Sequence, residues 1–436
     1  MNDFLETAVR KAVTPTEQND YYALAILHPF SGHEHKLGEL PITLGRDDSC
    51  EIILDDSSIS RTHARIQHGD IGLVLCDLGS KNGCFVNRKP VQDQAEIRVG
   101  DILRLGEIVF RLVARSVEEV GNSEEEGEES ALIGGPSLAG VRRHIRLLGP
   151  TSLRLMITGE SGSGKEVVAR ELHRQSGRGG PFIAVNCAAI PDTLVEAELF
   201  GYVRGAFTGA LKDKIGLFEA AKNGTLFLDE VTELPLPGQA KLLRAVETGE
   251  VRRIGAVQST TIDCRIISAT NRVVSREIEQ EHFRGDLAAR LSEAEVNLPP
   301  LRHRIEDLPL LIRHLAKRAG CRMGFSAEAM EILACYRWPL NVRELDNAVR
   351  MLNVLAEGRE LQGWMLPEQF SSGHMQIHSP PNPTEKEEQV FASLRENNGN
   401  IRRTGQQLGV SRSYIYRCLD RAGIDLARIR SGTKNA

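Results

Sequence analysis

The stretch LRLMITGESGSGKEVVARELH, residues 153–173, restricts the architecture of this chain more than any other. An apolar run, a loop with glycines at 159, 162 and 164, and a helical run follow one another without a gap. A strand feeding a glycine loop and then a helix is the context in which a phosphate loop is credible. Glycines let backbone N–H groups curl around phosphates, the helix adds its positive end, and Lys165 reaches the outer phosphates. The loop Gly159, Glu160, Ser161, Gly162, Ser163, Gly164, Lys165 and Glu166 is therefore the candidate ATP cradle. Glu166 stands where Ser or Thr usually helps to hold Mg2+, so the metal needs ligands elsewhere.

GTLFLDE, residues 224–230, supplies them: a short buried strand ending in two carboxylates. Charges at the end of an apolar strand are costly without a partner. Asp229 towards Mg2+ and Glu230 towards an attacking water is the arrangement that ATP hydrolysis requires. IDCRIISATN places Thr270 and Asn271 at the end of another buried strand, where polar groups can sense a terminal phosphate. FRGDLAARL carries Arg284 and Arg290, six apart and so not on one helical face. In RWPLNVRELDNAV, Asn341 three residues before Glu344 signals a helix start and places Arg343 in the first turn. Taken alone, these three arginines read equally well as solvated surface residues.

The chain of 436 residues suits two to four domains. Its charge is nearly balanced, 54 basic against 59 acidic side chains, so nothing global announces a nucleic-acid or membrane partner. Eight scattered cysteines form no Cys-x-x-Cys pair and no zinc spacing, which fits idle thiols in a reducing cytoplasm. No apolar run has signal-peptide or membrane-span length, and a cytoplasmic location is expected. Seven glutamates between Ser116 and Ser130, with no basic residue, make a self-repelling linker over 116–130. A second linker, 371–384, is rich in proline. Three pieces follow: 21–115, 131–370 and 385–430. In the first, ALAIL, PITLG, EIILD, ARIQ, GLVLCDL, DILRLG and IVFRLV are separated by turn signals, which predicts an all-β sandwich. The second alternates strand and helix, which predicts an α/β fold with a parallel sheet.

One segment of the second piece looks foreign to such a sheet. GYVRGAFTGA, residues 201–210, sets a Phe and a Thr among small residues and can build neither a stiff helix nor a strong strand. GESGSGKE, GAFTGA, GTLFLDE, FRGDL and WPLNVREL, in this order, resemble the AAA+ domain of bacterial enhancer-binding proteins, the activators of sigma-54 RNA polymerase. The hexapeptide is the most specific element, and Glu166 is the residue this family ordinarily has. The resemblance implies that Lys165 and its glycines bind ATP, and that Asp229 and Glu230 serve Mg2+ and hydrolysis. It implies that Asn186 restrains the catalytic Glu, that Thr270 and Asn271 form the first sensor, and that Arg343 forms the second. Arg284 and Arg290 would be arginine fingers offered to a neighbouring subunit, so activity implies a ring, by resemblance a hexamer. Gly205, Ala206, Phe207, Thr208, Gly209 and Ala210 would push on sigma-54 RNA polymerase holoenzyme. Leu340, where Gly is usual, and the pair Ala288 and Ala289, where bulkier residues often stand, depart from the pattern.

At the C-terminal end, NNGNIRRTGQQLGVSRSYIYRCLDRAGI resembles an all-α Fis-type helix-turn-helix, implying a dimer on double-stranded DNA. From Gly399 to Ala436 eight basic residues face two acidic ones, which suits phosphate contacts. Arg412, Ser413, Tyr416 and Arg417 are the groove candidates. At the other end, LGRDDSCEIIL, SISRTHARI and SKNGCFVN resemble the forkhead-associated (FHA) domain, a β-sandwich that reads phosphothreonine from its loops. Arg46, Ser60, Arg61, Lys81 and Asn82 match its phosphopeptide positions, while Gly45, His63 and Gly83 read as scaffold. The partner would be a phosphothreonine protein or kinase, and a sandwich that has lost phosphate binding is the alternative. The whole resembles a signal-responsive transcription activator. A ring ATPase with another client and a DNA-binding repressor with a vestigial ATPase are the rivals. GAFTGA argues against the first, and the intact set Lys165, Asp229, Glu230, Arg284 and Arg290 against the second.

Overall fold

The computed structural model describes residues 20–30, 33–69, 72–116 and 132–371, with isolated positions between 393 and 408. The groove candidates Arg412, Ser413, Tyr416 and Arg417 lie outside the described residues, as do almost all positions of the two linkers.

Eleven strands form the N-terminal domain: β1 (Asp20–His28), β2 (Glu34–Lys36), β3 (Ile42–Gly45), β4 (Ile52–Ile53), β5 (Ala64–Gly69), β6 (Gly72–Asp77), β7 (Cys84–Val86), β8 (Lys89–Pro90), β9 (Gln94–Ile97), β10 (Ile102–Leu105) and β11 (Ile108–Ser116). They divide into two sheets, ordered β2-β1-β11-β10-β7-β8 and β4-β3-β5-β6-β9. Leu24, Leu44, Ile66, Leu75, Leu103 and Phe110 interdigitate between the sheets, as expected for a sandwich. All seven predicted runs lie on strands. The strands missed, β2, β7, β8 and β9, have two to four residues each, too few to show an alternation.

The run ALAIL has a property that the sandwich alone does not require. Leu24 faces the sandwich core, yet Ala23 and Ala25 on the other face are equally buried. On β11, Val109, Arg111, Val113 and Arg115 are also buried on that outer face. A sheet that is apolar on both faces is covered on both. The cover comes from helices of the second domain, and the described residues from Asp20 to Ser371 form one compact unit. The acidic run thus separates two domains that pack against each other.

The second domain begins with α1 (Ala139–Leu148), β12 (Leu155–Thr158), α2 (Lys165–Gln175) and β13 (Phe182–Asn186). After α3 (Val195–Phe200) come the short strands β14 (Gly201–Tyr202) and β15 (Lys214–Ile215), then α4 (Leu217–Ala220) and β16 (Thr225–Asp229). The domain continues with α5 (Leu236–Thr248), the hairpin strands β17 (Glu250–Val251) and β18 (Thr260–Thr261), β19 (Arg265–Thr270), α6 (Val274–Glu279), α7 (Gly285–Leu291) and β20 (Ala294–Asn297). The lid helices are α8 (Leu308–Arg318), α9 (Ala327–Cys335), α10 (Asn341–Ala356) and α11 (Glu368–Ser371). The central sheet, ordered β13-β16-β19-β12-β20, is parallel throughout. Its three central strands, β12, β16 and β19, are buried on both faces, which is why they read as largely apolar runs. The parallel register brings the C-terminal ends of β12, β13, β16 and β19 to one edge, where ligands bind in open α/β sheets.

Candidate nucleotide site and partner-facing loops

The phosphate loop leaves β12 and enters α2, as the glycines predict. Gly162 takes φ 73° and Gly164 φ 109°, left-handed values that a side chain resists. A Cβ on Gly162 would lie 2.2 Å from the Leu340 carbonyl oxygen, so the loop and lid meet where only glycine fits. Lys165 is 6% exposed; its ammonium donates to the Gly159 carbonyl at 3.0 Å and lies 3.5 Å from Glu230 Oε1. Glu166 faces outward and pairs with Arg170 one turn along.

Glu230 follows β16 in a left-handed conformation, φ 51°, which is uncommon for a side-chain-bearing residue and frequent at functional sites. Its second carboxylate oxygen accepts the Asn271 N–H at 3.0 Å, so Lys165 and the end of β19 grip one carboxylate between them. Burial, reinforced by the neighbouring Glu230 charge, holds the Asp229 carboxyl above its usual range, with Lys165 pulling the other way. Asn186 is the register partner of Asp229, but its amide oxygen accepts from Ala188 N–H, and no hydrogen bond joins it to Glu230. Thr270 is buried, with its hydroxyl on Thr232 and Arg272 N–H. Inside the loop, the Ser163 hydroxyl is buried with no hydrogen-bond partner. That orphaned hydroxyl and the neighbouring Asp229 carboxylate would suit Mg2+, an ion that takes few protein oxygens.

The lid contributes more than sequence reasoning found. Arg343 donates to Ser161 Oγ of the loop at 3.1 Å. Asn341, read as a helix cap, does something else. It is buried at φ 53°, accepts the Leu301 N–H at 2.7 Å, and donates to Ser161 O at 3.0 Å and to Glu160. The cap residue is Leu340, whose N–H is taken by Glu344 at 3.0 Å. Leu340 itself has φ −104° and is half exposed, so the usual glycine is not needed there. Arg302 grips Glu160 through two bonds of 2.7 and 2.6 Å, and this fork holds the Glu160 carboxyl below the usual range. Arg304, 2% exposed, donates to the Ser163 carbonyl at 2.8 Å. These residues lie about 140 positions from the loop, and nothing in their local pattern announces the contact.

Arg284 and Arg290 do not join this cluster: the first pairs with Asp286 and the second with Glu247, both near solvent. Ala288 packs into the core beside Leu287 and Leu291, which accounts for a small residue there.

GAFTGA forms the turn between β14 and β15, on the chain segment that joins β13 to β16. Gly205 and Gly209 take φ 81° and 100°, and the Gly205 N–H closes the loop on the Ala210 carbonyl at 2.8 Å. Phe207 is 44% exposed, its ring edge-on to Tyr202 at 5.0 Å; Thr208 is exposed and Ala210 is buried. A neighbour that sequence reasoning missed supports this loop. The hairpin segment holding Ile254 and Gly255 exchanges backbone bonds with Gly201 and Val203 and packs Gly255 against Ala206.

On the sandwich, three loops bring the phosphopeptide candidates together. Arg46 N–H donates to Ser60 O, Lys81 N–H to Ser60 Oγ, and the Asn82 amide to Ser58 O. His63, fully buried, accepts Ser60 N–H and so carries its own proton towards Gly83 O. A Cβ on Gly45 would lie 2.1 Å from Arg61 O. Arg46, Arg61, Lys81 and Asn82 are exposed around the half-buried Ser60.

Residues 132–297 match the Sigma-54 interaction domain, 302–382 the AAA+ ATPase lid domain, and 42–106 the FHA domain. The response regulator protein PilR of Pseudomonas aeruginosa is 39% identical over 343 residues, covering 74% of this chain and 76% of PilR. The DNA-binding transcriptional regulator NtrC of Salmonella typhimurium is 37% identical, covering 70% of this chain and 72% of NtrC. The sigma-54-dependent transcriptional regulator UacR of Escherichia coli is 37% identical, and the alignment spans 60% of its length. NtrX of Brucella abortus, solved with ADP, superposes with a TM-score of 0.52 at 33% identity, covering 71% of this chain and 72% of NtrX. No helix among the described residues is long and apolar enough to cross a membrane. The chain belongs to the sigma-54-dependent transcriptional regulators, and its central domain is the AAA+ ATPase of that family, joined to an FHA domain.

Proposed function

We propose that this chain activates transcription by using ATP hydrolysis to remodel sigma-54 RNA polymerase holoenzyme. The observation that carries the reading is the GAFTGA turn. An exposed Phe and Thr stand between two left-handed glycines, on a hairpin inserted between the strands that carry Asn186 and Asp229. Phe207 offers apolar area to a protein partner and Thr208 a hydroxyl. Lys165 orients the phosphates, Asp229 would hold Mg2+, and Glu230, once released by Lys165, orients the attacking water. Mg2+ neutralises charge on the phosphates when bound. Thr270, Asn271 and Arg343 sense the nucleotide. Arg284 and Arg290, exposed and outside the site of their own chain, act on a neighbouring subunit's ATP in a hexamer. Such fingers contribute roughly 10³ to 10⁵ in rate in other phosphate-hydrolysing systems.

The FHA loops take a phosphothreonine peptide on Arg46, Ser60, Arg61, Lys81 and Asn82, since arginine's fork donates two bonds to phosphate. Arg412, Ser413, Tyr416 and Arg417 read upstream DNA. The test is purified protein with sigma-54 holoenzyme on a pre-melted promoter, with ATP and with or without phosphothreonine peptides. ATP-dependent conversion to a stable open complex is expected. ATP turnover with no effect on that holoenzyme would turn the reading towards a different client.

A further inference from the structure

The outer face of the sandwich sheet does more than cover the lid. Arg111 and Arg115 project from β11 into the second domain, and both guanidinium groups are paired with the buried Glu306. Arg111 also donates to the Arg302 carbonyl at 3.3 Å, and Arg115 is anchored by Glu34 at 2.6 Å. Ser137 adds a hydroxyl donor to Glu306. Glu306 lies four residues from Arg302 and two from Arg304, the pair that holds the Glu160 carboxylate and the Ser163 carbonyl of the phosphate loop. Buried ion pairs on Glu306 and the bond to the Arg302 carbonyl thus hold one short segment, 302–306, whose Arg304 (buried) and Arg302 (partly exposed) reach the loop. Buried pairs of this kind are costly to break from one side, because the remaining charge is stranded.

We propose that Arg111 and Arg115 are positioning residues of the ATP site. Through Glu306 they fix the 302–306 segment, and Arg302 and Arg304 of that segment fix the phosphate loop for nucleotide. The sandwich domain is on this account part of the ATPase, and its seating sets nucleotide affinity. The proposal rests on the loop of Lys165 being the nucleotide site and on nothing about sigma-54.

A second ion pair between the same two domains provides the control. Arg104 on β10 meets Glu331 of α9 at 2.7 Å, in a contact that does not lead to the 302–306 segment. Full-length protein is titrated with a fluorescent ADP analogue and Mg2+. The Arg111→Ala/Arg115→Ala variant should bind it roughly 5- to 100-fold more weakly, the range typical of coupling between sites. Arg104→Ala should stay within about twofold of the parent, although it too loses an interdomain ion pair. Arg111→Lys/Arg115→Lys, which keeps the charges without the forks, should recover part of the loss. If the alanine pair fails to fold, Glu306→Gln serves instead, since it keeps the volume and removes the charge. Parental affinity in the alanine pair or in Glu306→Gln, or an equal loss in Arg104→Ala, would overturn the proposal. Absence of binding by the parent, or undiminished binding by Lys165→Ala, would instead refute the nucleotide site itself.

Discussion

Asn341→Ala is the substitution whose cost can be worked most directly. The Asn341 side chain is buried and makes three hydrogen bonds, to Leu301 N–H, Ser161 O and Glu160. Alanine leaves the Leu301 N–H without a partner, which costs about 1–3 kcal/mol. The lost bond to Ser161 O adds about 1 kcal/mol. The backbone at φ 53° tolerates Asn better than Ala, and the left-handed region costs an ordinary residue about 1–2 kcal/mol. The total is about 3–6 kcal/mol, and for a domain of this size each kcal/mol lowers Tm by about 2–4 °C. Thermal unfolding followed by circular dichroism should therefore move down by about 10 °C. Asn341→Gly relieves the backbone but not the hydrogen bonds, so it should lose less, by about 1–2 kcal/mol. Unchanged Tm in the alanine variant, or equal losses in both, would show that the amide does not tie the lid to the phosphate loop.

Phe207→Ala and Thr208→Ala should keep nucleotide binding and ATPase rate within about twofold, since neither touches the site, while open-complex formation with sigma-54 holoenzyme disappears. Glu230→Gln should still bind ATP but hydrolyse it about 10² to 10⁴ times more slowly in a steady-state assay. Burial raises the Cys187 thiol to about 12 and the Cys84 thiol further, so both should resist alkylation at pH 8 until the protein is unfolded, as peptide mass mapping would reveal. Asp307 is pushed up to about 6, chiefly by burial and then by Glu306. The folded state thus binds that proton more tightly than the unfolded chain does. Its stabilising effect is complete below the ordinary Asp range and is lost as pH rises through about 6. Asp307→Asn should remove that component from a stability profile measured between pH 4 and 7, and an unaltered profile would contradict the assignment.

Chemistry that follows local order was legible in the sequence, and chemistry assembled across the chain was not. The strand, glycine loop and helix around Lys165 are contiguous, as are Asp229 and Glu230 at the end of their strand, so spacing alone brought them forward. The seven runs of the sandwich were legible because each is long enough to alternate or stay apolar. Asn341 illustrates the opposite case. Its separation of three from Glu344 mimics a cap, but the left-handed backbone turns the amide into the domain interior, where a contact about 180 positions away decides its role. Arg302, Arg304 and Glu306 read as an ordinary charged turn before a helix, because their partners lie on the phosphate loop and on β11. The packing of β1 against a second surface left one trace, the apolar Ala23 and Ala25 on the face that a sandwich normally gives to solvent.

The grip of Lys165 and the Asn271 N–H on Glu230 has a consequence for how the engine turns over. The buried lysine has an internal counter-ion in Glu230, 3.5 Å away, so its charge is not stranded. On the proposed function, a triphosphate that draws the lysine away frees the carboxylate assigned to the attacking water. On that reading, loading and arming are a single event.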